Sequence, residues 1–163
     1  MSGASGGTDP DIDPQPPRRR PAWRGRTLLL IAAGGALGSV VRDRLGVAFP
    51  TPQGQWPWTI FWVNVTGAFV LGALLETLAV LGPDEGWRRR ARLGVGTGVL
   101  GGYTTYSTFA VDTASLGRSD HLVLALGYAL ASIVLGFAAA YVATWAVGAA
   151  HRRVVLRRME AAR

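Results

Sequence analysis

The 163-residue sequence contains no cysteine and no lysine. Without cysteine there is no disulfide, no thiolate nucleophile and no thiolate metal site. All 17 basic residues are arginine. The only histidines, His121 and His151, stand at the ends of hydrophobic segments. No nucleophile–base pair therefore falls within the apolar part of the chain, and an enzyme is not expected. Long polar connections are missing as well, which leaves no room for a separate soluble domain. A net charge of +7 raises the possibility of nucleic acid. The arginines, however, flank hydrophobic segments and are not interleaved with stacking aromatics, so they read as topology signals.

What is present is apolar. Hydrophobic residues make up 49% of the chain, gathered near 27–48, 58–81, 91–116 and 122–149. Each stretch exceeds the roughly 20 residues that span a bilayer. The expected fold is an all-α membrane protein of four transmembrane helices over residues 27–149. Residues 1–26 are rich in Pro, Gly, Ser and Asp and contain Arg18, Arg19 and Arg20, which reads as a disordered basic tail. Residues 150–163 form a second basic tail. A secretory signal peptide is not expected, because the first apolar stretch is long and Ala48-Phe49-Pro50 is followed by another pass.

Four passes put both termini and the middle loop on one side. That side carries Arg18, Arg19, Arg20, Arg24 and Arg26, then Arg88, Arg89, Arg90 and Arg92, then Arg152, Arg153, Arg157, Arg158 and Arg163. The other side has Arg42, Arg44 and Arg118, a bias of 14 to 3. The positive-inside rule places both termini in the cytoplasm, in one fixed orientation.

The third stretch departs most from a greasy helix. Residues 101–108 read Gly-Gly-Tyr-Thr-Thr-Tyr-Ser-Thr, with no aliphatic side chain. Gly101 and Gly102 weaken a helix, and the hydroxyls compete for its backbone hydrogen bonds. A helix break at membrane depth is tolerated where it is buried in protein or lines a polar cavity, and in transporters and channels such breaks form ion sites. Carbonyls freed there suit a hard cation such as Na+. Tyr106 and Phe109 are three apart and share a face. Their ring edges either pack or present partial positive charge to an anion.

The other stretches add polar or small residues at regular spacing. Gly34 and Gly38 form a small-xxx-small pair for close helix approach. Arg42, with Asp43 beside it, either snorkels to the interface or lines an aqueous vestibule. Trp56, Trp58 and Trp62 read as an interfacial aromatic belt. Asn64 lies well inside its span, where a carboxamide needs a partner. It is either an interhelical hydrogen bond or a pore-facing N–H donor. Tyr128, Ser132, Gly136, Ala140 and Thr144 recur every four residues along one slowly drifting face of the fourth stretch.

In this order, the pieces resemble the CrcB/Fluc fluoride channel family over about residues 27–148. Four motifs carry the resemblance: Gly34-Gly35-Ala-Leu-Gly38-Ser-Val-Val-Arg42, Val63-Asn64-Val-Thr-Gly67-Ala-Phe-Val-Leu-Gly72, Gly101-Gly-Tyr-Thr-Thr-Tyr-Ser-Thr-Phe109, and Tyr128 with Ser132. The resemblance implies an antiparallel, dual-topology-type dimer with a break in the third helix and two fluoride pores along the interface. It implies a structural Na+ held by the carbonyls of Gly101 and Thr104 from both subunits. It implies pore roles for Asn64, Tyr106, Phe109, Ser107, Thr108, Tyr128 and Ser132, and a vestibule role for Arg42. The function implied is passive export of cytoplasmic fluoride that entered as HF, across the cell membrane and in contact with lipid.

Three departures from the family pattern, at four positions, matter. Tyr106 stands where a phenylalanine is expected, Gly136 and Ala140 replace hydroxyls, and Ile60 replaces a threonine. Together with the arginine bias, they predict pairing with an oppositely oriented paralogue that completes one pore; the alternative is a homodimer. Two other functions remain open. One is a non-conducting subunit of a heterodimeric channel. The other is a small four-helix multidrug-type transporter, which needs a membrane carboxylate. Asp43 is the first stretch's only candidate, with Glu76 near the end of the second.

Overall fold

A computed structural model describes residues 23–162. Most of the tail expected over 1–26 lies outside them. Every regular element among the described residues is helical: α1 (Trp23–Ala48), α2 (Trp58–Val80), α3 (Gly86–Ala91), a π-helical stretch (Arg92–Leu100), α4 (Gly101–Tyr103), α5 (Tyr106–Arg118) and α6 (Leu122–Ala161). Two of them, α2 and α6, are single helices long and apolar enough to cross a membrane. The expected third stretch is a composite of α3, the π-helical stretch, α4 and α5.

The packing follows from where the side chains are small. α1 lies along the π-helical stretch and α4, α2 lies along α6, and α5 packs on α6, while α1 and α2 scarcely touch. A Cβ at Gly34 would stand 2.5 Å from the Gly94 carbonyl oxygen. At Gly102 it would collide with the Gly35 backbone, and at Gly38 with that of Val99. Two backbones therefore run nearly in contact, as small-residue seams allow. The expectation that Gly101 and Gly102 help break the helix is corrected here. Both sit inside a helical turn, and Gly102 serves the close approach to α1. The glycines at 94, 96 and 98 fall in the wide π-helical turns, where they are buried.

The buried centre is small. Phe61, Leu116, Ala125 and Tyr128 form it, with Trp56, Val65, Phe109, Leu124 and Ala131 packed around them. Outside this cluster the surface is apolar: Leu28, Val40, Phe69, Val123 and Phe137 are all exposed. An outer surface this greasy belongs against lipid or another subunit, since a water-facing domain rarely shows one.

α6 does not stop at 149. It continues to Ala161, so its 40 residues extend about 60 Å, twice the hydrocarbon thickness of a bilayer. The basic segment after 149 is thus a helical extension, with Arg152, Arg153, Arg157 and Arg158 exposed. At the same end, the α2–α3 connection is tied by Arg92 to Asp84 at 2.6 and 3.1 Å, and by Arg88 Nε donating to the Pro83 carbonyl at 2.6 Å. The hydrogen bond from Arg92 holds the Asp84 carboxyl below the usual carboxylate range.

Candidate functional site

The helix that runs through α4 ends at Tyr103, and α5 begins at Tyr106. Between them Thr104 and Thr105 are extended, with ψ of 156° and 125°. Hydroxyls make this possible. Thr104 donates both its N–H and its Oγ1–H to the Leu100 carbonyl, each at 2.9 Å, which closes the last turn of α4. Thr105 is the N-cap of α5: its Oγ1 accepts from Thr108 N–H at 3.1 Å, the usual service of a threonine there. The Thr105 hydroxyl also donates to Thr108 Oγ1 at 3.1 Å and lies 3.2 Å from Ser107 Oγ.

Asn64 supplies what the break removes. Its Oδ1 accepts from Thr105 N–H at 2.9 Å, and its Nδ2 donates to the Thr105 carbonyl at 3.1 Å. Thr105 is buried, so both of its main-chain groups would otherwise be orphans. The pair uses one amide hydrogen of Asn64 and leaves the other free. Asn64 thus makes the interhelical bond and also lines a groove. Gly67 on the same helix lets Thr104 approach, since a Cβ there would collide with Thr104 Cγ2.

That groove has a volume of about 300 Å³ and is lined by Asn64, Thr104, Thr105, Tyr106, Phe109, Ser132 and Ile133. Five of the residues anticipated from sequence thus converge: Asn64, Thr104, Tyr106, Phe109 and Ser132. The Tyr106 and Phe109 rings lie 6.1 Å apart at 44°. Tyr106 is 82% exposed, projecting away from its own subunit. Tyr128 is fully buried behind Phe109, with ring centroids 5.4 Å apart. Arg42 and Thr108 are elsewhere, in a hollow of about 280 Å³ shared with Asp43, Gly46, Val47 and Ile60. Ser107 is exposed on the first turn of α5, and Gly101 is exposed on α4.

The electrostatics of the break are two-sided. The carbonyls of the last turn of α4 lack intrahelical donors and attract positive charge, while the first N–H groups of α5 attract negative charge. Arg42 Nη1 already donates to the Thr104 carbonyl at 3.2 Å, and Ser39 Oγ lies 3.4 Å from that of Gly102. Among the described residues, no group of three His, Asp or Glu side chains is placed to hold a metal ion. The donors offered to a cation are therefore main-chain oxygens. The Thr104 carbonyl already accepts from Arg42, so a cation there would have to displace that guanidinium.

One side chain was misread from sequence. Trp58 and Trp62 are exposed, as a belt requires, but Trp56 turns inward. Its indole meets Phe61 at 5.7 Å and Tyr128 at 5.6 Å, edge to face in both cases. The signal was available: Trp56 precedes Pro57, which biases it away from helical geometry. It therefore does not share the face of Trp58 and Trp62.

The family model described as CrcB-like protein, Camphor Resistance (CrcB), matches residues 29–144. The chain is 55% identical over 126 residues to the Fluoride-specific ion channel FluC 2 of Leifsonia xyli subsp. xyli, covering 77% of this chain and 86% of that one. It is 41% identical over 145 residues to the Fluoride-specific ion channel FluC 2 of Nocardia farcinica, covering 83% and 98%. It is also 41% identical over 120 residues to the protein of the same name from Streptomyces avermitilis, covering 72% and 74%. Similarity of this extent, spanning both the glycine seam and the helix break, means that the chain belongs to the CrcB family.

Proposed function

We propose that this protein is a fluoride-specific channel that lets cytoplasmic fluoride leave the cell passively, down its electrochemical gradient. The observation that carries the reading is the groove at Thr104–Thr105. There Asn64, Ser132, Tyr106 and Phe109 line a groove beside the N-terminal end of α5. Fluoride is small and strongly hydrated, so a dry path must replace its water with several weak donors. A fixed arginine inside the groove would hold it too tightly to conduct. Arg42 lies in the neighbouring hollow, where it can attract anions without trapping them.

In this reading the four helical segments cross the membrane, and the Thr104–Thr105 break lies at mid-depth. A second, antiparallel subunit covers the exposed Tyr106 and completes each groove. The carbonyls of Gly101 and Thr104 would hold Na+, which would supply a positive charge that offsets the anion's lost hydration. Ser107 and Thr108 hold the N-terminal turn of α5, and Tyr128 backs the groove. The test is fluoride efflux from liposomes holding the purified chain, with chloride as the control anion. Selective fluoride flux supports the channel. Folded protein that passes no fluoride, alone or with a paralogue, overturns it.

A specific observation favours a heterodimer with an oppositely oriented paralogue. The arginine bias is 14 to 3. The polar face of α6 also ends at Ser132: Gly136 faces open space, and Ala140 packs against Gly72 of α2. Flux that requires co-reconstitution with the paralogue supports this pairing, and full flux from the chain alone favours the homodimer. A coupled multidrug transporter would instead lose coupling when Asp43 and Glu76 are neutralised. A passive channel keeps its flux.

A further inference from the structure

Three buried side-chain polar atoms, Ser132 Oγ, Tyr128 Oη and Trp56 Nε1, have no well-formed hydrogen bond among the described residues; the Tyr128 and Ser132 hydroxyls can meet only each other, and the Trp56 indole meets neither. Leaving such a group unsatisfied is costly, and each instance asks for an explanation. These three are not scattered. Ser132 lines the groove at the helix break, and Tyr128 stands one turn before it on the same face of α6. The Tyr128 ring meets the Trp56 indole edge to face at 5.6 Å and 88°. Trp56 in turn forms part of the wall of a second hollow, of about 520 Å³, with Asp120, His121, Leu122 and Gly127. The residues that carry these atoms thus run as a file from the groove to a hollow at the far end of the bundle from the α6 extension.

We propose that the indole N–H of Trp56 is a binding station for a small anion, fluoride, at the outer end of this file. The proposal rests on the channel reading above and extends it to a residue outside the groove. An indole can only donate a hydrogen bond, so it must be met by an acceptor. A buried water is held by two to four polar groups. Its ring neighbours are Trp58, Phe61 and Tyr128, with Asp120 and His121 across the hollow. The ring edges carry partial positive charge, and the acceptors the rings offer, their faces and the Tyr128 hydroxyl, are weaker than an anion. Donors and ring edges without a fixed cation suit an anion in transit. The Asp120 carboxylate at the outer hollow disfavours a long stay there.

The test has two readouts. The chain, alone and co-purified with its paralogue, is labelled with ¹⁵N in the indole rings, and fluoride is titrated against a chloride control. The Trp56 signal, identified by its loss in Trp56→Phe among the six tryptophans, should shift with fluoride and not with chloride. No fluoride-dependent shift in either preparation overturns the proposal, and a signal that responds equally to chloride does so too. Trp56→Phe keeps the ring packing and removes the donor. Its fluoride efflux should fall about tenfold, the factor equivalent to about 1.4 kcal/mol. Wild-type efflux from a folded Trp56→Phe protein overturns the station. Should the unaltered protein pass no fluoride, the channel reading fails, and the indole titration still decides whether Trp56 binds the anion.

Discussion

Asn64 shows how one side chain sets the break and the groove together. It bonds both main-chain groups of Thr105. Asn64→Ala removes both bonds and leaves the buried Thr105 N–H bare, at a cost of about 1–3 kcal/mol. The expected outcome is a clearly lower melting temperature in detergent together with loss of fluoride flux. Melting at the wild-type temperature would show that the extended Thr105 does not depend on Asn64. Position 136 offers the opposite experiment. No atom stands within 4 Å of where its Cβ would be, so Gly136→Ser adds a hydroxyl one turn beyond Ser132 without a clash. Efflux by the chain alone should rise severalfold. An unchanged rate would mean that the length of the hydroxyl track does not limit conduction. The residue types at both positions were legible in the sequence. That Asn64 spends one amide hydrogen on Thr105 was not, because the bond joins residues 41 apart.

At the level of elements, the glycine-rich third segment divides its labour in a way composition does not reveal. Gly101 and Gly102 are neighbours with opposite surroundings. A Cβ on Gly102 would strike the backbone of Gly35, which no rotamer change relieves, whereas one on Gly101 would meet only the Gly96 carbonyl, at 4.0 Å. Gly102→Ala should therefore separate α1 from α4 and abolish the yield of folded protein. Gly101→Ala should fold normally, with stability unchanged or raised by up to about 1 kcal/mol, the difference in helix propensity. Both outcomes are read by size-exclusion chromatography and thermal melting of the two variants. Equal behaviour would refute the close α1–α4 seam. The sequence reading assigned the break to both glycines, whose low helix propensity is a local property, and to the hydroxyl run that follows them. In the fold it is Thr104 and Thr105 that leave the helix, because Asn64 and the Thr105 cap give the extended backbone partners.

For the whole molecule, orientation is the question that the arginines raise. The native chain has no cysteine, so single-cysteine variants can be labelled without background. Gly117→Cys lies near the end of α5 at an open position, and Met159→Cys lies on the exposed α6 extension. In intact cells an impermeant thiol reagent should label Gly117→Cys and leave Met159→Cys untouched. Comparable labelling of both would mean dual insertion and would remove the reason for a paralogue. The exposed Tyr106 belongs to this scale as well. An aromatic ring 82% exposed at the edge of the groove is the surface that the proposed second subunit would cover.

The sequence by itself determined the helical class, the apolar segments, the arginine asymmetry and the motif residues. Each of these is written in local composition and spacing, which hydrophobic periodicity and charge rules read directly. It also named five of the seven residues that line the groove, Asn64, Tyr106 and Phe109 because a carboxamide and an aromatic pair stand out against an apolar background, and Thr104 and Ser132 with the help of the family resemblance. Only the tertiary structure decided which hydroxyls are spent on capping, that Arg42 and Thr108 occupy a separate hollow, and that α6 continues through the basic segment. It also decided that Trp56 leaves the aromatic belt to face Tyr128. Those outcomes depend on contacts between residues distant in the chain, where the packing of one helix against another selects among options that the local sequence leaves equivalent.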